Sequence, residues 1–221
     1  MLKAVIFDLD GLLVDSEPVW FDVRIEMFGR FGLRWTDTDQ KALMGRSTLA
    51  WIDYVDQKLE GRLTRAEIEQ QTLDSMVHSY RIGKVRVMPG AKEALNLSKS
   101  KAILGLASGS PRVLINAAME ANGWRNHFKE ILTSDEVGHG KPAPDVYQEI
   151  MKRLHVAPGE CVVVEDSASG ILAGKAAGAF VIAVPNKELM PPTEALQKAD
   201  AVIESLVSIE EGIRMAELRQ K

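Results

Sequence analysis

The sequence predicts an α/β protein built on a doubly wound parallel sheet, interrupted by an inserted block of helices. Three observations carry that prediction: short, continuously apolar runs, helical signals between them, and one long stretch with helical signals alone. The runs are AVIF at 4–7, AILGLA at 102–107, VVV at 162–164 and FVIAV at 180–184. Their shortness and Val/Ile content favour buried strands, and unbroken apolarity favours parallel pairing with both faces covered. Between them, Ser110-Pro111 reads as N-cap and first helical residue. Leu114, Ile115, Ala118 and Met119 form one face, and Gly123 fits the stop. Ser167 is placed to cap a helix carrying Ile171, Leu172 and Ala176, closed by Gly178.

From residue 15 to 87 the pattern is helical, with no convincing strand. Ser16 reads as a cap for a helix with Pro18 in its first turn and Trp20, Val23, Met27 and Phe31 on one face. Leu49, Ile52, Val55 and Leu59 mark another, and Thr64 with Glu67 makes a capping box before Ile68, Met76, Val77 and Tyr80. The α/β pattern resumes at Met88-Pro89-Gly90. The expected organisation is therefore a core domain of residues 1–14 and 88–221 and a helical cap domain of residues 15–87.

Composition narrows the function classes. The 221 residues are 46% hydrophobic and 26% charged, as in an ordinary globular protein that buries a core. With 27 basic and 31 acidic residues the net charge is −4, and no basic stripe marks a nucleic-acid partner. No run reaches the ~20 apolar residues of a membrane span, and Asp8 and Asp10 break the N-terminal apolar stretch before it could serve as a signal segment. The single cysteine, Cys161, has no intrachain partner. A cytoplasmic monomer acting on a small molecule, away from nucleic acid and membrane, is the expectation.

Ligands of open α/β sheets bind beyond the carboxyl ends of the strands, so the residues after each run matter most. Asp8-Leu9-Asp10-Gly11 follows the first run, Ser108-Gly109-Ser110 the second and Glu165-Asp166-Ser167 the third, while a loop ending in Lys141-Pro142 precedes a further helix. Singly these read as turn chemistry, helix entry or a solvated lysine. Together they set four carboxylates on one rim, which is tolerable when a cation sits among them. Oxygen ligands without a His or Cys cluster point to Mg²⁺, which takes a few carboxylates and keeps waters and substrate phosphate oxygens. Competing motifs fail. Ser108 is one place off a G-x-S-x-G elbow, and neither Gly140-Lys141 nor Gly174-Lys175 has the rest of a P-loop. Gly138-x-Gly-x-x-Ala143 lacks a preceding strand, and the four histidines have no zinc spacing.

The ordered set Asp8-Leu9-Asp10-Gly11, Ser108, Lys141-Pro142 and Glu165-Asp166 resembles the four motifs of the haloacid dehalogenase superfamily, with a Rossmann-like core and an inserted helical-bundle cap. Asp15-Ser16-Glu17-Pro18-Val19-Trp20 and Gly45-Arg46-Ser47 are similar to its bacterial sugar-phosphate phosphatases, the branch that includes 2-deoxyglucose-6-phosphate phosphatase. The resemblance implies Asp8 as nucleophile and Asp10 as general acid and base. It implies that Ser108, Gly109 and Lys141 hold the phosphoryl oxygens. Mg²⁺ would be held by Asp8, Asp10 through its backbone carbonyl, and Asp166, with Glu165 coordinating or orienting. Trp20, Gly45 and Arg46 are the candidate cap residues facing the substrate. The nearest rival is a sugar phosphomutase such as β-phosphoglucomutase, in which a histidine occupies the position of Trp20. Dehalogenases lack the acid that Asp10 supplies. A phospho-aspartate receiver domain has its acids elsewhere and no helical insert.

Overall fold

The structure is a computed structural model that describes residues 1–43, 48–186 and 190–219. Its centre is a six-stranded parallel sheet of β1 (Ala4–Phe7), β4 (Ile103–Ser108), β5 (Glu130–Thr133), β6 (Cys161–Glu165), β7 (Phe180–Ala183) and β8 (Ala201–Val202). The spatial order is β5-β4-β1-β6-β7-β8, so the winding reverses between β1 and β6. That reversal opens a crevice at the carboxyl ends, where ligands of such sheets bind. Strand alternation divides the core into two. Val5, Phe7, Leu104, Leu106, Val162 and Val164 face α5 (Ala91–Lys101), α6 (Arg112–Asn122) and α10 (Ile209–Arg219). Ala4, Ile6, Cys161 and Val163 face α7 (Asp145–Arg153) and α8 (Ala168–Ala176), with Tyr147 fully buried there.

The strands β1, β4, β6 and β7 coincide with the four apolar runs. The outer strands β5 and β8 escape that reading because EILT and AV are too short and mixed to stand out. A correction also applies to the 15–87 segment. Its ends pair as a short antiparallel ladder of β2 (Val14–Asp15) and β3 (Arg86–Val87). Two-residue strands carry no periodicity to read.

Between that ladder lie α1 (Glu17–Gly29), α2 (Asp37–Leu43), α3 (Thr48–Leu59) and α4 (Arg65–Arg81). Met27, Phe28, Trp35, Leu43, Trp51, Ile52, Val55, Leu59 and Ile68 form an apolar cluster of their own. The capping box of Thr64 and Glu67 is present. Several face assignments need correction. α1 stops at Gly29, so Phe31 lies past its end and is exposed, and Leu49 is exposed while Trp51 is buried in its place. On α8 the buried face is Ile171, Ala173 and Gly174, with Leu172 and Ala176 exposed. The helix after β4 begins at Arg112 with Pro111 as its cap, one residue later than the Ser110-Pro111 pattern indicates. A four-residue helix, α9 (Thr193–Leu196), precedes β8. Among the described residues no helix is long and apolar enough to cross a membrane.

Asp39 anchors the helical block. Its carboxylate is buried and accepts from the Thr36 amide at 3.0 Å, the Thr36 hydroxyl at 2.7 Å and Tyr54 at 2.8 Å. Lys58 pairs with it at 2.6 Å. Burial pushes this carboxyl up, but the bonds from Lys58, Thr36 and Tyr54 outweigh burial and hold it well below the ordinary carboxylate range. A depressed folded-state pKa stabilises above the unfolded value and the gain is lost as pH falls through the folded one. Asp39→Asn is therefore expected to cost about 1.5–3 kcal/mol at neutral pH, with the gap to wild type beginning to narrow as pH falls below about 4. Chemical denaturation at pH 7 and at pH 3 measures both.

Candidate active site

The first acid continues β1. Its backbone amide donates to Val164 O at 3.1 Å, which fixes Asp8 against the end of β6. The chain then turns through Gly11, whose φ of +80° suits glycine, and a Cβ there would lie 2.2 Å from Asp166 Oδ2. Only a residue without a side chain lets the first and last motifs approach this closely.

Lys141 arrives from the loop before α7 and is buried to 8% side-chain exposure. Its ammonium donates to Asp8 Oδ1 at 2.6 Å, Glu165 Oε1 at 2.6 Å and Ala107 O at 3.0 Å, using all three N–H bonds. Burial alone would lower its pKa, but Asp8 and Glu165 outweigh that and hold it well above the ordinary lysine value. Glu165 is fully buried and saturated. Oε1 accepts from Lys141 and, at 2.6 Å, from Tyr147, while Oε2 accepts from the Asp166 and Ser167 amides and the Ser167 hydroxyl at 3.0–3.2 Å. A carboxylate so occupied orients its neighbours and has little capacity left for a metal.

Asp166 is the opposite case. It is buried, and its Oδ1 has no hydrogen-bond partner among the described residues. Burial, then Glu165 and Asp8, pushes its pKa well above the carboxylate range. Asp8 is pushed up to about 7 by burial, with Lys141 opposing and Glu165 and Asp10 adding to the rise. One carboxylate oxygen from each of Asp8, Glu165 and Asp166 lies within 4.8 Å of the others. An orphaned buried oxygen amid three acids served by one lysine fits a hard cation, which would supply the missing positive charge.

Asp10 faces elsewhere. Its Oδ1 accepts from Ser16 at 2.7 Å, and its Oδ2 from Ser110 at 2.7 Å and Ser108 at 3.2 Å. Ser16 stands at the N-cap position of α1 yet makes no cap bond with its side chain. Ser16 and Ser110 read as helix caps in the sequence because the residue types that cap helices are those that orient carboxylates. Ser108 is fully buried at the end of β4, and Gly109 is exposed beside it.

These groups open on a cavity of about 520 Å³ whose other wall comes from the helical block. Trp20 lies on that wall as the sequence suggests, but Glu17, Arg24 and Gln40 join it unforeseen. Arg24 did leave a trace: it stands four residues after Trp20, a charge on an otherwise apolar helix face. Gly45 and Arg46 lie outside the described residues.

Comparison with known proteins agrees with this geometry. The family model described as haloacid dehalogenase-like hydrolase matches residues 2–178. The chain is 34% identical over 209 residues to the bifunctional riboflavin kinase/FMN phosphatase of Arabidopsis thaliana, covering 94% of this chain and 54% of that protein, about half its length. It is 31% identical over 193 residues to hexitol phosphatase B of Escherichia coli, covering 85% of each. A CbbY variant from Rhodobacter sphaeroides, solved with xylulose-(1,5)bisphosphate, superposes with a TM-score of 0.82 at 25% identity, over 94% of this chain and 96% of that one.

The orphaned Asp166 oxygen makes a prediction that needs no substrate. A divalent cation is expected to raise the melting temperature of the wild type by several degrees, and Asp166→Asn to remove most of that rise. Thermal melts in chelator and in cation, for both proteins, measure the difference.

Proposed function

Because the chain belongs to the haloacid dehalogenase-like hydrolases, we propose that it is a Mg²⁺-dependent phosphatase of small sugar phosphates that works through a phosphorylated Asp8. The observation that carries this reading is the buried Lys141 ammonium shared by Asp8 and Glu165, beside an Asp10 held by three hydroxyls. Likeness to a hexitol phosphatase supports the substrate class.

Lys141 binds Asp8 through Oδ1, and no bond among the described residues occupies Oδ2. A carboxylate gripped at one oxygen keeps the other in position to attack phosphorus. As the Asp8–phosphorus bond forms, the bond from phosphorus to the leaving oxygen breaks, and Asp10 supplies that oxygen's proton. Asp10 then takes a proton from water as the water attacks phosphorus and releases Asp8. A serine hydroxyl can donate to a carboxylate or accept from a carboxylic acid, so Ser16, Ser108 and Ser110 can follow Asp10 through both states. Ser108, Gly109 and Lys141 would hold the phosphoryl oxygens. Asp8, Asp166 and the Asp10 carbonyl would hold Mg²⁺, with Glu165 orienting. Bound there, Mg²⁺ supplies charge neutralisation and keeps Asp8 ionised. Residues 15–87 would form the cap that excludes water from this step. Trp20 has no titratable nitrogen, which favours hydrolysis over the mutase cycle.

Asp8→Asn is expected to lower phosphate release from a sugar phosphate at least about a thousandfold. The fold should survive, because the substitution also relieves carboxylate repulsion. Phosphate assay and a melting curve check the two halves, and retained turnover would refute a covalent Asp8. Chelator should abolish the wild-type activity and Mg²⁺ restore it. Ca²⁺ should restore little, since its larger and looser shell misplaces the reacting groups. Incubated with β-glucose 1-phosphate and a trace of bisphosphate, the protein should yield free phosphate with little glucose 6-phosphate. Stoichiometric isomerisation would reverse the choice.

A further inference from the structure

The cavity wall facing Asp8 and Asp10 contains a buried cation that the phosphoryl-transfer chemistry does not use. Arg24 is 5% exposed. Its guanidinium carbon lies 4.9, 5.6 and 5.8 Å from the ring centroids of Trp20, Trp35 and Trp51. One N–H donates to Gln40 Oε1 at 3.0 Å, and the buried Nε–H has no partner among the described residues. Gln40 Oε1 also accepts from Trp35 Nε1 at 3.1 Å, and Gln40 Nε2 donates to Glu17 Oε2 at 3.0 Å. Glu17, Arg24 and Gln40 thus form one fixed polar chain, and all three line the cavity.

Burial lowers the Arg24 pKa to about 10, with Glu17 opposing, and burial raises that of Glu17. Among the described residues neither charge has a direct ionic partner within hydrogen-bond reach, and between the two stands the neutral amide of Gln40. A guanidinium carries five donors and here makes a single hydrogen bond among the described residues. Held that way beside a cavity, it has donors to offer to whatever enters.

We propose that Arg24 and Glu17 read the leaving group of the substrate, and that they select a neutral, hydroxyl-rich one: a sugar or polyol monophosphate in preference to a bisphosphate. Arg24 can only donate and ionised Glu17 can only accept, so the ligand must both accept and donate. Neighbouring hydroxyls do both. A second phosphate would satisfy Arg24 but would set its charge against Glu17 and offer it no proton. Trp20 and Trp51 add apolar faces for the carbon skeleton. This inference rests on the phosphatase reading for its substrate but on different residues for its evidence. The competing view is that Arg24 merely braces three tryptophans.

The test compares sorbitol 6-phosphate, fructose 1,6-bisphosphate and p-nitrophenyl phosphate on the wild type, Arg24→Lys and Glu17→Gln. The wild type should prefer the monophosphate polyol to the bisphosphate. Arg24→Lys keeps the charge but loses the planar fork, and should lower kcat/KM for sorbitol 6-phosphate about tenfold or more, chiefly through KM. The loss on p-nitrophenyl phosphate should be several times smaller. Glu17→Gln should narrow the preference over the bisphosphate about tenfold. In an Asp8→Asn background, tryptophan fluorescence should show sorbitol 6-phosphate binding about tenfold more weakly once Arg24→Lys is added. That binding arm reads the inference even if turnover fails and the phosphatase reading with it. Equal losses on all three substrates, an unchanged affinity in the Asp8→Asn background, or a wild type that prefers the bisphosphate would each overturn it.

Discussion

One ammonium group holds the carboxyl end of the sheet together. Lys141 reaches in from the loop before α7 and binds, through its three hydrogens, the acid that follows β1, the acid that ends β6 and the carbonyl of Ala107 in β4. Those three strands are neighbours at the point where the sheet reverses its winding. Taking three carboxylates and one lysine out of water is costly unless each charge is matched. Two of the acids share the lysine. The third, Asp166, keeps an oxygen without a partner among the described residues, so those residues leave the site short of positive charge. A site built this way has the buried, under-compensated acids that fit a cation.

The helical block is tied to that end of the sheet by both of its connections. The chain leaves through the Asp8–Asp10 turn and returns at Met88, whose amide donates to Leu13 O at 2.9 Å beside the β2–β3 ladder. Ser16 and Glu17 are therefore among the first residues past the turn, and each has a use there. Ser16 fixes one oxygen of Asp10 and Glu17 begins the polar chain that reaches Arg24 through Gln40. Within this one stretch of chain the same backbone that carries the acid also carries part of the facing cavity wall. Asp39, with its ring of Thr36, Tyr54 and Lys58, holds α2 against α3 so that Gln40, the next residue, stays in register with Arg24.

What the sequence disclosed follows from which physical signals survive in one dimension. Strands buried on both faces are continuous in apolarity, so β1, β4, β6 and β7 could be read directly, and with them the acids at their ends. The ladder of β2 and β3 and the outer strand β8 could not, because two residues have no period. Lys141 was legible only through the company it keeps, since an isolated Gly-Lys-Pro has no more meaning than any loop. Hydroxyls misled for a chemical reason: serine before a helix satisfies either a backbone amide or a nearby carboxylate, and sequence alone does not choose. Tyr147 gave no signal at all, since a tyrosine on a helix's buried face looks the same whether or not its hydroxyl meets Glu165.

The adjacent acids Glu165 and Asp166 show how position, more than residue type, divides the work. Glu165 is the last residue of β6 and pairs across to Ala183, so its side chain follows the alternation that turns Val163 toward α7 and α8. There it meets Tyr147 from α7 and the first turn of α8, packed so tightly that a Cβ on Gly170 would lie 1.7 Å from its carboxyl. The longer side chain spans that distance and lets two amides, two hydroxyls and an ammonium saturate it. Asp166 is one residue further, past the end of the strand, and is directed toward Gly11 and Asp8. Exchanging the two would give the short acid a network it cannot reach and would drive the long one into the space that Gly11 leaves. The order Glu-Asp is thus imposed by the pleat on one side and a glycine turn on the other, and only the second of the pair retains a free oxygen to offer.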